Sequence, residues 1–313
     1  MKLFGLTKGM VYICPNKIEI KLSNFQNLIM KNFFIKAALL LVMPLMAASF
    51  VSCDDDDDAP AAPAFQSELI GNYTPRFINY QLPGAIEAKD YYFIIDTDWN
   101  EGVDPNTLMV GGFMPMPSVI GIMQGVISGL VQGGLVEMEL TNEGKIAAKA
   151  HELDVPADAD MSVIIGMLLQ PAWKSETVVF PSEETQPIYN ALGYYTENGK
   201  LYLTVSKAFL KAMGETMEQP MDIVGLLESV NSQFNLGFAS TATYFGIPLK
   251  YTLEGNELTI MVDKSMMKPI MPLLQPIFAQ IPPIMGMINV GDMVNMLFDN
   301  TSDIRLKLLL EKK

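Results

Sequence analysis

Residues 247–266 read IPLKYTLEGNELTIMVDKSM. Two strand-like runs, rich in β-branched and aromatic residues, flank Glu254-Gly255-Asn256. Gly and Asn tolerate positive φ, so the segment reads as a β-hairpin. The same pattern recurs twice upstream. Residues 135–151, LVEMELTNEGKIAAKAH, turn at Asn142-Glu143-Gly144, and residues 192–209, LGYYTENGKLYLTVSKAF, turn at Asn198-Gly199. The three turns lie about 55 residues apart, which fits either a degenerate repeat or three hairpins of one sheet.

Further strands are expected around these hairpins. Asn72 to Tyr80 has roughly alternating polarity, Tyr91 to Ile95 is aromatic and β-branched, and Leu108 to Phe113 makes a third run. Ile304 to Glu311 alternates over its first half and reads as the last strand. Helices are expected between them. Ser206 to Met217 carries Ala208, Phe209, Ala212 and Met213 at helical spacing. Asp222 to Phe234 offers Asp222 as an N-cap with Ile223, Leu226, Leu227 and Val230 on one face, and Pro220 divides the two. Asp292 to Leu297 opens a short helix after Gly291. The expected fold class is α+β and β-rich, an antiparallel hairpin sheet or barrel-like arrangement with helical insertions, in a single globular domain over 67–313.

Composition excludes several functions. The chain has 313 residues, one His and two Cys, too few for a His- or Cys-based zinc site or an iron–sulfur centre. A net charge of −14 argues against nucleic acid, because binding phosphates needs clustered Lys and Arg. Half the residues are hydrophobic, which excludes an intrinsically disordered chain.

Three stretches carry no charge. Pro105 to Val136 is the longest, with Gly121, Gly125, Gly129 and Gly133 every fourth residue. On a helix those positions form a ridge without side chains that lets another element approach, although each Gly costs about 1 kcal/mol against Ala. Pro269 to Gly291 is the second, broken by Pro269, Pro272, Pro276, Pro282 and Pro283 into short turns or a kinked segment. Met161 to Trp173 is the third. They read as core, as an apolar cavity, or as a membrane-facing surface. Met suits irregular apolar pockets, so Met114, Met116, Met123, Met267, Met271, Met285 and Met287 are the candidate lining of such a pocket.

The N-terminal region reads as an address. Residues 30–52 hold Met30, the basic Lys31 and Lys36, then an apolar run from Ala37 to Val51. This is the layout of a secretory signal, and the run is short for a membrane span. Phe50-Val51-Ser52-Cys53 resembles the lipobox of bacterial lipoproteins, departing from it at Phe50, where Leu is usual. Asp54, Asp55, Asp56, Asp57 and Asp58 then resemble the export signal of Bacteroidetes-type surface lipoproteins. The resemblance covers residues 30–58 and implies an outer-membrane lipid on Cys53 and a chain at the cell surface. The acidic run also reads simply as a solvated linker. Residues 1–29 precede a complete signal and read as a mis-assigned upstream start, with Met30 the initiator; a genuine extension is the alternative. Residues 53–66 form an acidic, Ala- and Pro-rich tether. From Cys53 onward the chain keeps 15 Lys and Arg against 34 Asp and Glu, an acidity that suits a soluble surface. Cys14 is lost with the signal and Cys53 is lipidated, so the mature chain is expected to have no disulfide.

Signals for chemistry are few. No Gly-x-Ser-x-Gly elbow accompanies His151, and no Gly-x-x-x-x-Gly-Lys loop is present. Asp96, Asp98, Asn100 and Asp104 alternate as in a calcium loop, but Glu101 and Thr107 stand where that loop needs Gly and Glu. An ordinary exposed loop explains them equally well. No cofactor is expected. Carboxylate-pair glycoside chemistry remains open, because sequence spacing does not set spatial separation. Tyr91, Tyr92, Trp99, Trp173, Tyr194 and Tyr195 read either as strand aromatics or as a sugar-stacking platform.

Gly71-Asn72-Tyr73 on the first strand, followed by hairpins and a returning last strand, is loosely similar to lipocalin-like barrels. That similarity implies a sheet curved around an apolar pocket; the helical insertions depart from a simple eight-strand meander. The expected function is a lipid-anchored surface protein binding an apolar small molecule or lipid. The alternatives are an accessory glycan- or protein-binding lipoprotein and, third, a hydrolase.

Overall fold

The computed structural model describes residues 67–81, 87–156, 163, 166–167, 170–183, 185–216, 222–268, 271, 283 and 288–313. The elements follow in chain order: β1 (Gly71–Pro75), β2 (Ile78–Tyr80), β3 (Lys89–Tyr91), β4 (Phe93–Trp99), a 3₁₀ turn (Pro105–Thr107), β5 (Met109–Val110) and β6 (Met114–Pro115). Next come α1 (Met116–Gly134), β7 (Leu135–Leu140), β8 (Ile146–Leu153), β9 (Trp173–Phe180), α2 (Gln186–Ala191), β10 (Leu192–Glu197) and β11 (Lys200–Ser206). The last are α3 (Lys207–Thr216), α4 (Ile223–Phe234), β12 (Ala239–Ser240), β13 (Tyr244–Glu254), β14 (Glu257–Asp263), α5 (Lys264–Met267), α6 (Val290–Asn300) and β15 (Thr301–Lys312).

The three expected hairpins form, as β7–β8, β10–β11 and β13–β14, and all belong to one 11-stranded antiparallel sheet. Positive φ falls where the turn residues are: Gly144 at 73°, Asn198 at 51°, Gly199 at 71° and Gly255 at 62°. The strand order is β10-β11-β13-β14-β15-β1-β7-β8-β9, with β12 also beside β13 and β4 also beside β15. The last strand is the hub. One edge of β15 pairs with β14; the other takes β4 along Thr301 to Leu308 and then β1 along Leu310 to Lys312.

Local chemistry explains the helix starts. Asp222 caps α4 by accepting from the Gly225 N–H at 2.9 Å, as its residue type predicts. α6 starts at Val290, two residues earlier than expected, because Asn289 accepts from the Asp292 N–H at 3.1 Å. Asp263 caps α5 and also pairs with Lys250. The run Asn72–Tyr80 is two strands, β1 and β2, rather than one, and Leu108–Phe113 supplies half of a small hairpin, β5–β6. Both divisions follow from turn chemistry. Pro75 lacks an N–H for the ladder, and Gly111 and Gly112 take positive φ of 62° and 79°.

The main core lies on one face of the sheet, under α1, α3, α4 and α6. Ile304, Leu308 and Leu310 of β15 point into it, whereas Leu309 faces the other side. There it meets Tyr91 and Ile94, and the β2–β3 ribbon closes over them with Ile78 and Tyr80. Tyr73 is fully buried, its hydroxyl donating to the Leu69 carbonyl at 2.8 Å. Burial, reinforced by nearby Glu68, pushes that hydroxyl up to about 12.

The sheet curls without closing, and no closed barrel forms. Its end strands β9 and β10 share no ladder. Instead the β7–β8 turn reaches the β10 edge: the Tyr194 N–H donates to the Gly144 carbonyl at 2.7 Å and the Tyr194 hydroxyl to the Thr141 carbonyl at 2.9 Å. Lys145 Nζ donates to the Asn190 and Leu192 carbonyls at 2.7 and 3.0 Å. Gly193 permits this seam, since a Cβ there would sit 2.8 Å from the Gly144 carbonyl oxygen.

Candidate functional site

The longest uncharged stretch builds β5, β6 and α1. Its helix is long and apolar enough to cross a membrane by length and composition, but in this fold it packs across β4, β7 and β8. Two polar side chains explain where it sits. One edge of β4 pairs with β15, and the other is met by α1: the Ile95 N–H donates to Gln124 Oε1 at 2.8 Å, and the Tyr92 and Phe93 N–H groups donate to Ser128 Oγ at 3.2 and 3.1 Å. Gln124 and Ser128 are four apart, so one helix face satisfies an edge that would otherwise be buried unpaired. The glycine ridge is used at its C-terminal end. Trp173 lies on Gly133 and Gly134, and a Cβ at Gly133 would come 2.1 Å from the indole nitrogen. Added Cβ atoms at Gly125 and Gly129 would meet no described atom within 4 Å.

Of the candidate pocket residues, Met116 (0 % exposed) and Met267 (8 %) lie in the main core, and Met114 and Met123 are half-buried against it. Met271 is half-buried. Met285 and Met287 fall outside the described residues. So do Cys53, Asp54 to Asp58, the signal segment 30–52 and the tether 53–66. Along this stretch three large apolar side chains reach solvent: Met109, Phe113 and Ile122 are 45 %, 45 % and 46 % exposed. The β5–β6 turn ends there, and Ile288 packs beneath it, 3.4 Å from a Cβ placed on Gly111.

The calcium candidate is not assembled. Asp96 and Asp98 project from β4 toward β15, where Arg305 pairs with Asp96 at 3.0 Å, Asp98 at 2.8 Å and Asp303 at 2.9 Å, and Lys307 holds Asp96 at 2.9 Å. Burial would raise the Asp96 carboxyl, but hydrogen bonds from Lys307 and Arg305 outweigh it and hold it below the usual carboxylate range. Asn100 instead donates to the Asp299 carbonyl at 2.9 Å, and Asp104 caps the 3₁₀ turn through the Asn106 N–H at 3.0 Å. Among the described residues no group of three or more His, Cys, Asp or Glu side chains can hold a metal. His151 Nδ1 lies 3.4 Å from the Glu176 carbonyl oxygen, at the β8–β9 ladder.

The six candidate aromatics are dispersed, as strand aromatics rather than one platform. Tyr91 and Tyr194 are buried, Trp99 leans on the core, Trp173 covers the end of α1, and Tyr92 meets Phe77 with centroids 5.8 Å apart. Tyr195 is half-buried and gathers two residues that sequence reading left out. It stacks on Tyr202 (centroids 4.7 Å, planes 4° apart) and meets Tyr244 edge-on at 6.2 Å. The hairpin turn dictates the first pairing, since Glu197 opposite Lys200 puts Tyr195 opposite Tyr202. Tyr244 comes from β13, two strands along in the sheet, and nothing local announces it. Burial, then the nearby Tyr244 and Tyr202 hydroxyls, raise the Tyr195 hydroxyl well above its ordinary value.

Comparison of the chain with protein-family models, with curated proteins and with solved structures gave no match.

Proposed function

We propose that this chain is a lipid-anchored cell-surface binding protein whose ligand is an apolar small molecule or lipid. The anchor is the lipid on Cys53 in the outer membrane. One observation carries the ligand class: the uncharged surface at the start of α1. Met109, Phe113 and Ile122 of this stretch are exposed, Met114 and Met123 are half-buried against the core, and Ile288 lies beneath the β5–β6 turn. Large apolar side chains left in solvent along one uncharged stretch are costly unless something covers them. Methionine side chains adapt their shape to what does. From Asp104 to Glu137 no charged residue interrupts this surface, in a chain that is otherwise strongly acidic.

The test is native mass spectrometry of residues 54–313 produced without the anchor, followed by solvent extraction. A stoichiometric fatty acid or phospholipid is expected, with its occupancy reduced by Phe113→Ser. A clean apo mass that takes up no added oleate overturns the reading. The glycan-binding alternative is favoured by a different feature, the tyrosine cluster at Tyr195.

A further inference from the structure

Apart from β15, no described strand joins the two halves of the main sheet. β10, β11, β12, β13 and β14 lie on one side of it, and β1, β7, β8 and β9 on the other. Within the halves, neighbours in the sheet are mostly neighbours in the chain, as in the hairpins β7–β8, β10–β11 and β13–β14. β15 differs. It pairs with β14 from Arg305 to Glu311, with β4 as far as Leu308 opposite Phe93, and with β1 through Leu310 opposite Pro75 and Lys312 opposite Tyr73. β4 has no other strand partner among the described residues. Backbone bonds at the end of β15 reach both halves: the Lys312 N–H donates to the Asn256 carbonyl at 2.7 Å, and the Lys313 N–H to the Asn72 carbonyl at 2.9 Å. Both cores use it as well, since Ile304, Leu308 and Leu310 enter the main one and Leu309 the one beneath β2–β3.

We propose that β15 is a strap that gates folding: the chain holds no stable tertiary structure until residues 301–312 are free to pair, and their arrival then joins the two half-sheets. Every strand that β15 pairs with precedes it in chain order, so a chain made from its N-terminus exposes β1, β4 and β14 before the strap. Until then the hairpins have their turns, but β14 and β1 keep an unpaired edge and both cores lack the β15 side chains. Closing β15 on β1 and β4 orders nearly the whole domain as one loop. That entropy is repaid only when the ladder and both cores form together. A chain led by a secretory signal crosses its membrane unfolded, and a strap that follows all its partners keeps it unfolded while it is being made. This last consequence rests on the secretory reading of residues 30–52, whereas the strap itself rests on topology.

The experiment is limited thermolysin digestion of the full-length chain arrested on the ribosome, made in a cell-free system without membranes. A short linker to the arrest sequence keeps residues 301–312 inside the exit tunnel, and a long linker frees them. Digestion throughout is expected with the short linker. With the long linker, the fragments that resist digestion in the released chain should appear. Leu308→Pro removes an N–H from the middle of β15, opposite Phe93 on one side and Ile260 on the other, where a central strand does not tolerate it. With the long linker this variant should remain sensitive, which separates pairing of β15 from mere distance to the ribosome. Three results overturn the proposal: resistance already present with the short linker, none with the long linker although the released chain resists, or a Leu308→Pro chain as resistant as the parent. None of them depends on whether the chain is secreted.

Discussion

Arg305 holds three carboxylates from two strands, and Lys307 shares one of them. Each carboxylate on β4 that resembled a metal ligand is thus neutralised by a cation on the strand beside it. The register of β15 on β4, with Arg305 opposite Asp96, is what makes this possible. Because Asp96 is held below its ordinary value in the folded state, its contribution is present above about pH 4 and fades as pH falls through the lowered value. Asp96→Asn should therefore cost about 1–2 kcal/mol at pH 7. The gap to the parent chain should shrink by pH 3. Urea unfolding at the two pH values measures this; an equal gap at both would rule out the charged network as the source.

The elements follow from local pattern, but α1 owes its position to a need of its neighbour. β4 has one unpaired edge, and Gln124 and Ser128 supply the partners that a strand would otherwise give. Ser128 serves two N–H groups and donates back to the Phe93 carbonyl at 3.1 Å. Ser128→Ala is expected to destabilise the chain by about 2 kcal/mol, the cost of leaving buried donors unpaired. Amide exchange at Phe93 should quicken relative to the β13–β14 ladder. Unchanged exchange at Phe93 would mean that water replaces the hydroxyl without loss. The same logic accounts for Lys264, which donates to the Phe298 and Thr301 carbonyls at the end of α6, where a cation also meets the helix dipole. Burial pulls its ammonium below the usual lysine value.

Across the whole molecule, the sheet is joined to itself at one seam rather than by a ladder. Gly193, Gly144, Tyr194 and Lys145 make that seam, and Lys145 is buried enough that desolvation lowers its ammonium value. Gly193→Ala places a methyl group against the Gly144 carbonyl and the Thr204 hydroxyl, 2.8 and 2.9 Å away. Backbone cannot give way cheaply there, so a loss of about 1–3 kcal/mol is expected, with faster exchange at the Tyr194 amide. A melting temperature within one degree of the parent would show the seam to be slack.

The hairpins were legible because Asn-Gly, Glu-Gly-Asn and Asn-Glu-Gly impose their own geometry, and the helices because capping residues and helical spacing act within a few positions. By the same local logic, the Asn198-Gly199 turn sets Tyr195 opposite Tyr202. Which strands lie side by side was not legible: β15 meets β4 and β1, more than 200 residues earlier, through a register no short motif encodes. Tertiary structure alone decided that Asp96 and Asp98 face Arg305. It alone brought Tyr244 to Tyr195 across Gly246. The physical reason is the same in each case. Turns and caps are satisfied by neighbours in sequence, whereas burial, ion pairing and ring stacking depend on which distant strand arrives, and one buried apolar face of the sheet settles that for the chain as a whole.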